Sequence, residues 1–88
     1  MGVIDDLGDA LARDVLAAMD ELGDDRFYEK VARMVGASSP TLQEAFMTSI
    51  RIRLAEIRGR QFLERALAAK RTGAKMPDAP RVTDPGGH

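Results

Sequence analysis

The apolar residues in the first quarter of the chain have the spacing of an α-helix. Between residues 3 and 22 they recur every three or four positions, so they share one face at about 100° per residue. Gly23 follows this run directly, and glycine is the residue that most often ends a helix in the left-handed conformation. We therefore predict a first helix over residues 3–22, with a buried face formed by Ile4, Leu7, Leu11, Val15, Ala18 and Leu22.

A second, shorter helix is predicted over about residues 25–35. Asp24 or Asp25 can cap its first turn, because an aspartate side chain accepts hydrogen bonds from the free N–H groups there. Gly36 is predicted to end the helix in the left-handed conformation. The buried face of this helix is predicted to consist of Phe27, Val31, Met34 and Val35.

The third predicted helix is long, over about residues 40–71. Ser39 has the side chain of an N-cap, and Pro40 suits the first helical position. Gly59 interrupts the helix at a cost of about 1 kcal/mol relative to alanine, and permits a bend or a close helix crossing. One apolar face continues along the helix through Leu42, Ala45, Phe46, Ile50, Leu54, Ile57, Leu63 and Leu67.

The length of the third helix indicates that part of its apolar face needs a partner. About 32 helical residues extend for about 48 Å, whereas a domain of about 75 residues is near 30 Å across. A helix bent back at Gly59 would cover the remaining face within one chain. Pairing with a second copy, parallel or antiparallel, is commoner for so small a chain, and we predict a homodimer. The predicted interaction face comprises Arg53, Leu54, Ile57, Arg60, Leu63 and Leu67.

Two arginines, Arg53 and Arg60, lie within this apolar face. Their aliphatic stems can cover apolar surface while the guanidinium groups reach Glu56, Glu64 or the first helix of a neighbouring copy. Arginine is also enriched in protein interfaces. These positions therefore fit an interface better than a dry core.

Together these patterns predict an all-α fold: a small three-helix domain over residues 1–72, which dimerises through its long third helix. Residues 73–88 are rich in proline and glycine without a periodic apolar residue, and we predict a disordered tail. No apolar run approaches the roughly 20 residues needed to span a bilayer. The amino-terminal residues lack the basic and apolar regions of a secretory signal, so we predict a cytoplasmic protein.

The composition excludes several kinds of chemistry. There is no cysteine, and the single histidine is His88. Thiol nucleophiles, thiolate zinc sites and histidine acid–base catalysis are therefore absent. No carboxylate is paired with a nucleophile or with a glycine-rich phosphate loop. We predict no catalytic residue, no metal site, no cofactor and no small-molecule substrate.

The charges are distributed unevenly along the chain. Residues 1–44 hold ten acidic and four basic residues, and residues 45–88 hold four acidic and nine basic ones. One explanation of this asymmetry is an acidic helix packed on a basic helix, either within a chain or across a dimer. The other explanation is a basic surface that binds an anionic partner. Three arginines repeat every seven residues on the side away from the apolar face. A solvated surface and an anion-binding ridge both remain possible for Arg51, Arg58 and Arg65.

Residues 28–47 resemble the helix-turn-helix motif of many bacterial repressors and activators. Ala32 matches the small residue at the helix contact, and Gly36 matches the turn glycine. The apolar positions that hold the two helices together are matched by Val31, Val35, Leu42 and Ala45. The resemblance implies DNA contacts from Arg26, Lys30, Arg33, Ser39, Thr41 and Gln43.

We therefore expect a small non-enzymatic protein that binds another protein, as a homodimeric interaction module or regulatory adaptor. The alternative is a DNA-binding helix-turn-helix transcriptional regulator. No membrane partner is expected.

Overall fold

The computed structural model describes residues 2–79, in which three α-helices follow one another and no strand occurs. The helices are α1 (Val3–Leu22), α2 (Phe27–Ser38) and α3 (Pro40–Thr72). The predicted all-α fold with a long third helix is confirmed. Gly73 ends α3 in the left-handed conformation at φ 77°, and residues 74–79 form neither helix nor strand. The rest of the predicted tail, residues 80–88, lies outside the described residues.

The described part of the chain divides into two compact units, the first before and the second after the boundary between Ala55 and Glu56. The core of the first unit contains Phe46 and Ile50 of α3, both fully buried. Around them lie the smaller buried side chains of Ala12, Val15 and Ala32, which come from α1 and α2. The core is completed by half-buried apolar residues, which include Leu11, Leu16, Met19, Phe27, Tyr28, Val31, Met47 and Leu54.

The buried face of α1 agrees with the predicted one at Val15, and Leu11 and Ala18 are half-buried, but the other predicted positions differ. Ile4, Leu7 and Leu22 are exposed, whereas Gly8 and Ala12 are buried. A Cβ atom placed on Gly8 would lie 3.0 Å from the Cβ atom of Ala45 and 3.0 Å from the backbone nitrogen of Phe46. Gly8 therefore lets the backbones of α1 and α3 approach closely, and Ile4 and Leu7 remain outside the buried face.

The second helix begins and ends later than predicted. Asp24 accepts a hydrogen bond from the backbone N–H of Arg26 at 3.0 Å, so the chain makes a turn there before α2 starts at Phe27. Gly36 does not end the helix: α2 continues to Ser38, and Gly36 has no positive φ. Met34, predicted to be buried, is exposed.

Gly36 lies at the contact between α2 and α3. A Cβ atom at this position would lie 2.6 Å from the side-chain amide of Gln43. That amide donates a hydrogen bond from Nε2 to the Ala32 carbonyl at 2.9 Å, and so ties α3 to α2. The glycine therefore makes room for a polar side chain at the contact between the two helices.

The start of α3 agrees with the prediction. Pro40 is its first residue, and Ser39 has an extended backbone. The Ser39 hydroxyl accepts a hydrogen bond from the backbone N–H of Leu42 at 3.0 Å. Ser39 is thus the N-cap, and it is the only residue between α2 and α3.

Candidate protein-interaction surfaces

Three aliphatic side chains form an exposed surface on α3 within the second unit. Ile57, Leu63 and Leu67 are 40%, 50% and 42% exposed. We call them the α3 surface. Arg60 lies beside them, and its Nη2 and Nε atoms donate to one carboxylate oxygen of Glu56 at 2.8 and 2.9 Å. This confirms the predicted contact between Arg60 and Glu56, and the pairing raises the pKa of Arg60.

The other two members of the predicted interaction face lie in the first unit. Leu54 is half-buried and packs against the core. Arg53 donates from Nη2 to the Asp9 carboxylate at 2.8 Å and from Nε to the same oxygen at 3.2 Å. The acid that Arg53 reaches is therefore in α1 of its own chain. Both residues hold the first unit together and are not part of the α3 surface.

Asp9 is the centre of a small polar cluster between α1 and α3. The Ser49 hydroxyl donates to the same carboxylate oxygen at 2.7 Å, and Arg53 also donates to the Ser49 oxygen at 3.2 Å. The hydrogen bond from Ser49, followed by that from Arg53, holds the pKa of Asp9 below its ordinary value. Both donors favour the charged carboxylate. The cluster thus fixes the register of α1 on α3.

The predicted ridge residues Arg51, Arg58 and Arg65 are all exposed, and none of them forms an ion pair within residues 2–79. The guanidinium carbon of Arg65 lies 5.9 Å from the centroid of the Phe62 ring, within the range of a cation–π interaction. The side chain of Arg65 is therefore held partly along its own helix.

Most of the residues expected to contact DNA have partners within the chain. Lys30 binds Asp24 at 2.8 Å, and Arg26 lies 3.7 Å from Glu29. Ser39 caps α3, and Gln43 binds the Ala32 carbonyl. Only Arg33 and Thr41 of this set are exposed without a hydrogen bond or an ion pair within residues 2–79.

A second exposed apolar surface was not expected from the sequence. Val3, Ile4 and Leu7 of α1 are 67%, 41% and 55% exposed, and we call them the α1 patch. The periodicity of the large aliphatic residues placed Ile4 and Leu7 in the core. The signal that identifies the true contact face is the pair of small residues four positions apart, Gly8 and Ala12.

A shallow hollow lies at the end of α3. Its polar groups are two cations, Arg65 and Lys75, and the hydroxyl of Thr72, which donates to the Ala68 carbonyl at 2.9 Å. None of the side chains that line the hollow is a carboxylate. The remaining lining residues are Ala68, Ala69, Ala74 and Pro77.

Residues 2–79 contain neither a cluster of metal ligands nor a helix suited to a bilayer. No group of three or more histidine, aspartate or glutamate side chains is arranged to hold a metal ion in this part of the chain. None of the helices described here combines the length and the hydropathy needed to cross a bilayer.

Comparison with protein-family models, with curated proteins and with solved structures finds no match to this chain.

Proposed function

We propose that this protein is a non-enzymatic, homodimeric interaction module, acting as an adaptor or regulator, and that the α3 surface is its binding face. The observation that carries the proposal is the exposure of Ile57, Leu63 and Leu67. Apolar side chains gain about 25 cal/mol for each Å² removed from water, so a helix that presents three of them favours association with a partner.

The polar surroundings of the α3 surface also suit a protein interface. Arg60 is already oriented by Glu56, so it would lose less side-chain freedom on binding than an unpaired arginine. An aliphatic centre with an arginine at its edge is a common composition of protein interfaces. In the helix-in-groove mode an amphipathic helix places apolar residues against another protein, and Leu63 and Leu67 have the four-residue spacing that this mode uses.

The proposal is tested by the oligomeric state of matched variants. Leu63→Glu/Leu67→Glu places two charges in the α3 surface, whereas Met34→Glu/Ile52→Glu makes the same chemical change at two exposed apolar residues of the first unit. Sedimentation equilibrium should find the wild type and the second variant dimeric at about 10–50 μM, where an interface with a micromolar Kd is mostly occupied. The first variant should be monomeric, with unchanged helical circular dichroism. A monomeric wild type, or equal behaviour of the two variants, would refute the proposal.

The alternative function, a DNA-binding regulator, has less support. A helix-turn-helix usually joins its helices by a turn of about three or four residues, whereas Ser39 alone separates α2 from α3. Gly36, which matched the turn glycine, is inside α2. Fluorescence anisotropy with a labelled mixed-sequence duplex separates the two functions. We expect no saturable binding between about 50 and 200 mM salt, and steeply salt-dependent binding would favour the alternative.

A further inference from the structure

We infer that the α3 surface of one copy binds the α1 patch of a second copy, so that two identical contacts related by a two-fold axis form the dimer. This inference depends on the proposed function, because it names the partner of the α3 surface. It differs from the simpler arrangement in which two α3 helices pair with each other.

The charges around the two surfaces favour this pairing. Of the five basic residues of α3 from Glu56 to Thr72, Arg58 and Arg65 lie away from the α3 surface and Arg60 is paired with Glu56. The remaining two, Lys70 and Arg71, occupy the last turn of α3, next to Leu67. The first turn of α1 carries Asp5 and Asp6, and no basic residue occurs in the chain before Arg13. Two α3 surfaces paired in parallel would bring Lys70 and Arg71 of both copies together, whereas an α1 patch against an α3 surface joins opposite charges.

The apolar residues of the two surfaces also match in number and kind. Each surface exposes three aliphatic side chains, and the α1 patch has an acidic neighbour where the α3 surface has basic ones. Asp6 lies three residues after Val3, which places these two side chains on adjacent positions of the same helix face. On α3, Lys70 is related to Leu67 by the same spacing.

A two-fold arrangement divides the required area between two contacts. Stable dimers bury roughly 1,200–2,000 Å² in total. An isologous dimer of this kind contains two identical contacts. In one, α1 of the first copy meets α3 of the second copy, and in the other, α1 of the second copy meets α3 of the first copy. Each α1–α3 contact therefore needs to supply only half of that area. A single pair of crossed α3 helices would have to supply all of it from one place.

Disulfide formation between separate variants tests which surfaces meet. The wild-type chain has no cysteine, so each variant carries one thiol. Leu7→Cys and Leu67→Cys chains are mixed, oxidised under mild conditions and separated on non-reducing gels. We expect the mixed dimer, in which a Leu7→Cys chain is joined to a Leu67→Cys chain, to dominate over both homodimers. Met34→Cys, an exposed position outside both surfaces, replaces Leu7→Cys in the control mixture and should not cross-link to Leu67→Cys.

The homodimers that form on oxidation distinguish the ways in which the inference can fail. A dominant product that joins two Leu67→Cys chains would show that two α3 surfaces pair, which would overturn the inference and leave the proposed function intact. A wild type that is monomeric in sedimentation would overturn both. Cross-linking of Met34→Cys to the same extent as Leu7→Cys would show random collision and would also overturn the inference.

A charge-exchange experiment gives an independent test. Asp5→Lys/Asp6→Lys and Lys70→Glu/Arg71→Glu should each weaken homodimerisation by about tenfold or more, because each places like charges across both contacts. In an equimolar mixture, both contacts again join opposite charges, and the heterodimer should recover an affinity close to that of the wild type. Failure of the mixture to recover would count against the inference.

Matched controls separate a lost contact from a damaged helix. Asp20→Lys/Glu21→Lys and Arg51→Glu/Arg58→Glu make the same charge changes at exposed positions away from the two surfaces, and should dimerise as the wild type does. If Asp5→Lys/Asp6→Lys loses helical circular dichroism, the milder Asp5→Asn/Asp6→Asn replaces it, with weaker dimerisation than the wild type as the expected result. Unchanged dimerisation of a folded α1 variant would overturn the inference.

Discussion

Gly8 of α1 lies directly against Ala45 of α3, with so little space that a Cβ atom on Gly8 would come within 3.0 Å of the Ala45 Cβ and of its backbone carbon. Because the nearest atoms include backbone, they cannot turn away as the end of a long side chain can. This contact sets the distance between α1 and α3. It also determines which face of α1 is buried.

Substitution of Gly8 should therefore have the opposite effect to substitution of Gly59. Gly59→Ala should stabilise the protein by about 1 kcal/mol, because alanine favours the helix and the new Cβ meets no atom within 4 Å. Gly8→Leu should destabilise it by about 1–3 kcal/mol or more, because the added side chain forces the helices apart. Urea unfolding followed by circular dichroism measures both changes. A neutral Gly8→Leu would show that α1 does not pack on α3 in this way.

Two isoleucines on α3 provide a second matched pair. Ile50 is fully buried in the first unit, and Ile52 is exposed. Ile50→Ala should cost about 2–5 kcal/mol, since it removes buried methyl groups and leaves a cavity. Ile52→Ala should change the unfolding free energy by less than about 0.5 kcal/mol. Equal effects in urea unfolding would contradict the assignment of the core to this face of α3.

The sequence predicted the helices well and their contact faces less well. The ends of α1 and the beginning of α3 follow from local chemistry: Gly23 is left-handed at φ 67°, and Ser39 caps α3. Which face of α1 is buried does not follow from local chemistry, because it depends on how closely another helix approaches. Periodicity of large residues selected Ile4 and Leu7, whereas the observed contact uses Gly8.

Gly36, at the contact between α2 and α3, is a second residue whose role could not be predicted from its sequence neighbours. A glycine that follows an apolar run and precedes Ser38, Ser39 and Pro40 has the sequence of a helix end. Its actual role depends on Gln43, seven residues later, whose amide occupies the space where a Cβ atom would be. The two apolar surfaces differ in the same way. The place of Ile57, Leu63 and Leu67 on an apolar face could be predicted from periodicity. The α1 patch could not, because its exposure is a consequence of the contact between Gly8 and α3.

The N-cap of α3 gives a third prediction. Ser39→Ala should destabilise the protein by about 0.5–2 kcal/mol, because the hydrogen bond from the Leu42 N–H to the Ser39 hydroxyl is lost. Ser38→Ala, one residue earlier and exposed at the end of α2, should be neutral within about 0.5 kcal/mol. Thermal unfolding of the two variants makes the comparison. If Ser38→Ala destabilised the protein as much as Ser39→Ala, Ser39 would not be acting as the N-cap of α3.

The hydrogen bonds on Asp9 predict how its titration responds to substitution. In the folded protein the pKa of Asp9 lies below its ordinary value of 3.8. The hydrogen bond from Ser49 is the largest cause, and the hydrogen bond from Arg53 is the next. The charge of Arg13 has the smallest effect among the groups that lower this pKa. The pKa of Asp9, measured from its carboxyl carbon by NMR, should therefore rise towards 3.8 in Ser49→Ala. It should rise less in Arg13→Ala, which serves as the control.

The same shift fixes the sign of the pH dependence of stability. Because the carboxyl binds its proton more weakly when the protein is folded, the unfolded chain takes up the proton first as the pH falls. The stabilisation from Asp9 should be complete above its unfolded pKa, decline as the pH falls through 3.8, and be absent below its folded pKa. The difference in unfolding free energy between the wild type and Asp9→Asn should shrink over this window in urea titrations. A difference that grows towards low pH would mean that Ser49 and Arg53 do not bind the charged carboxylate in solution.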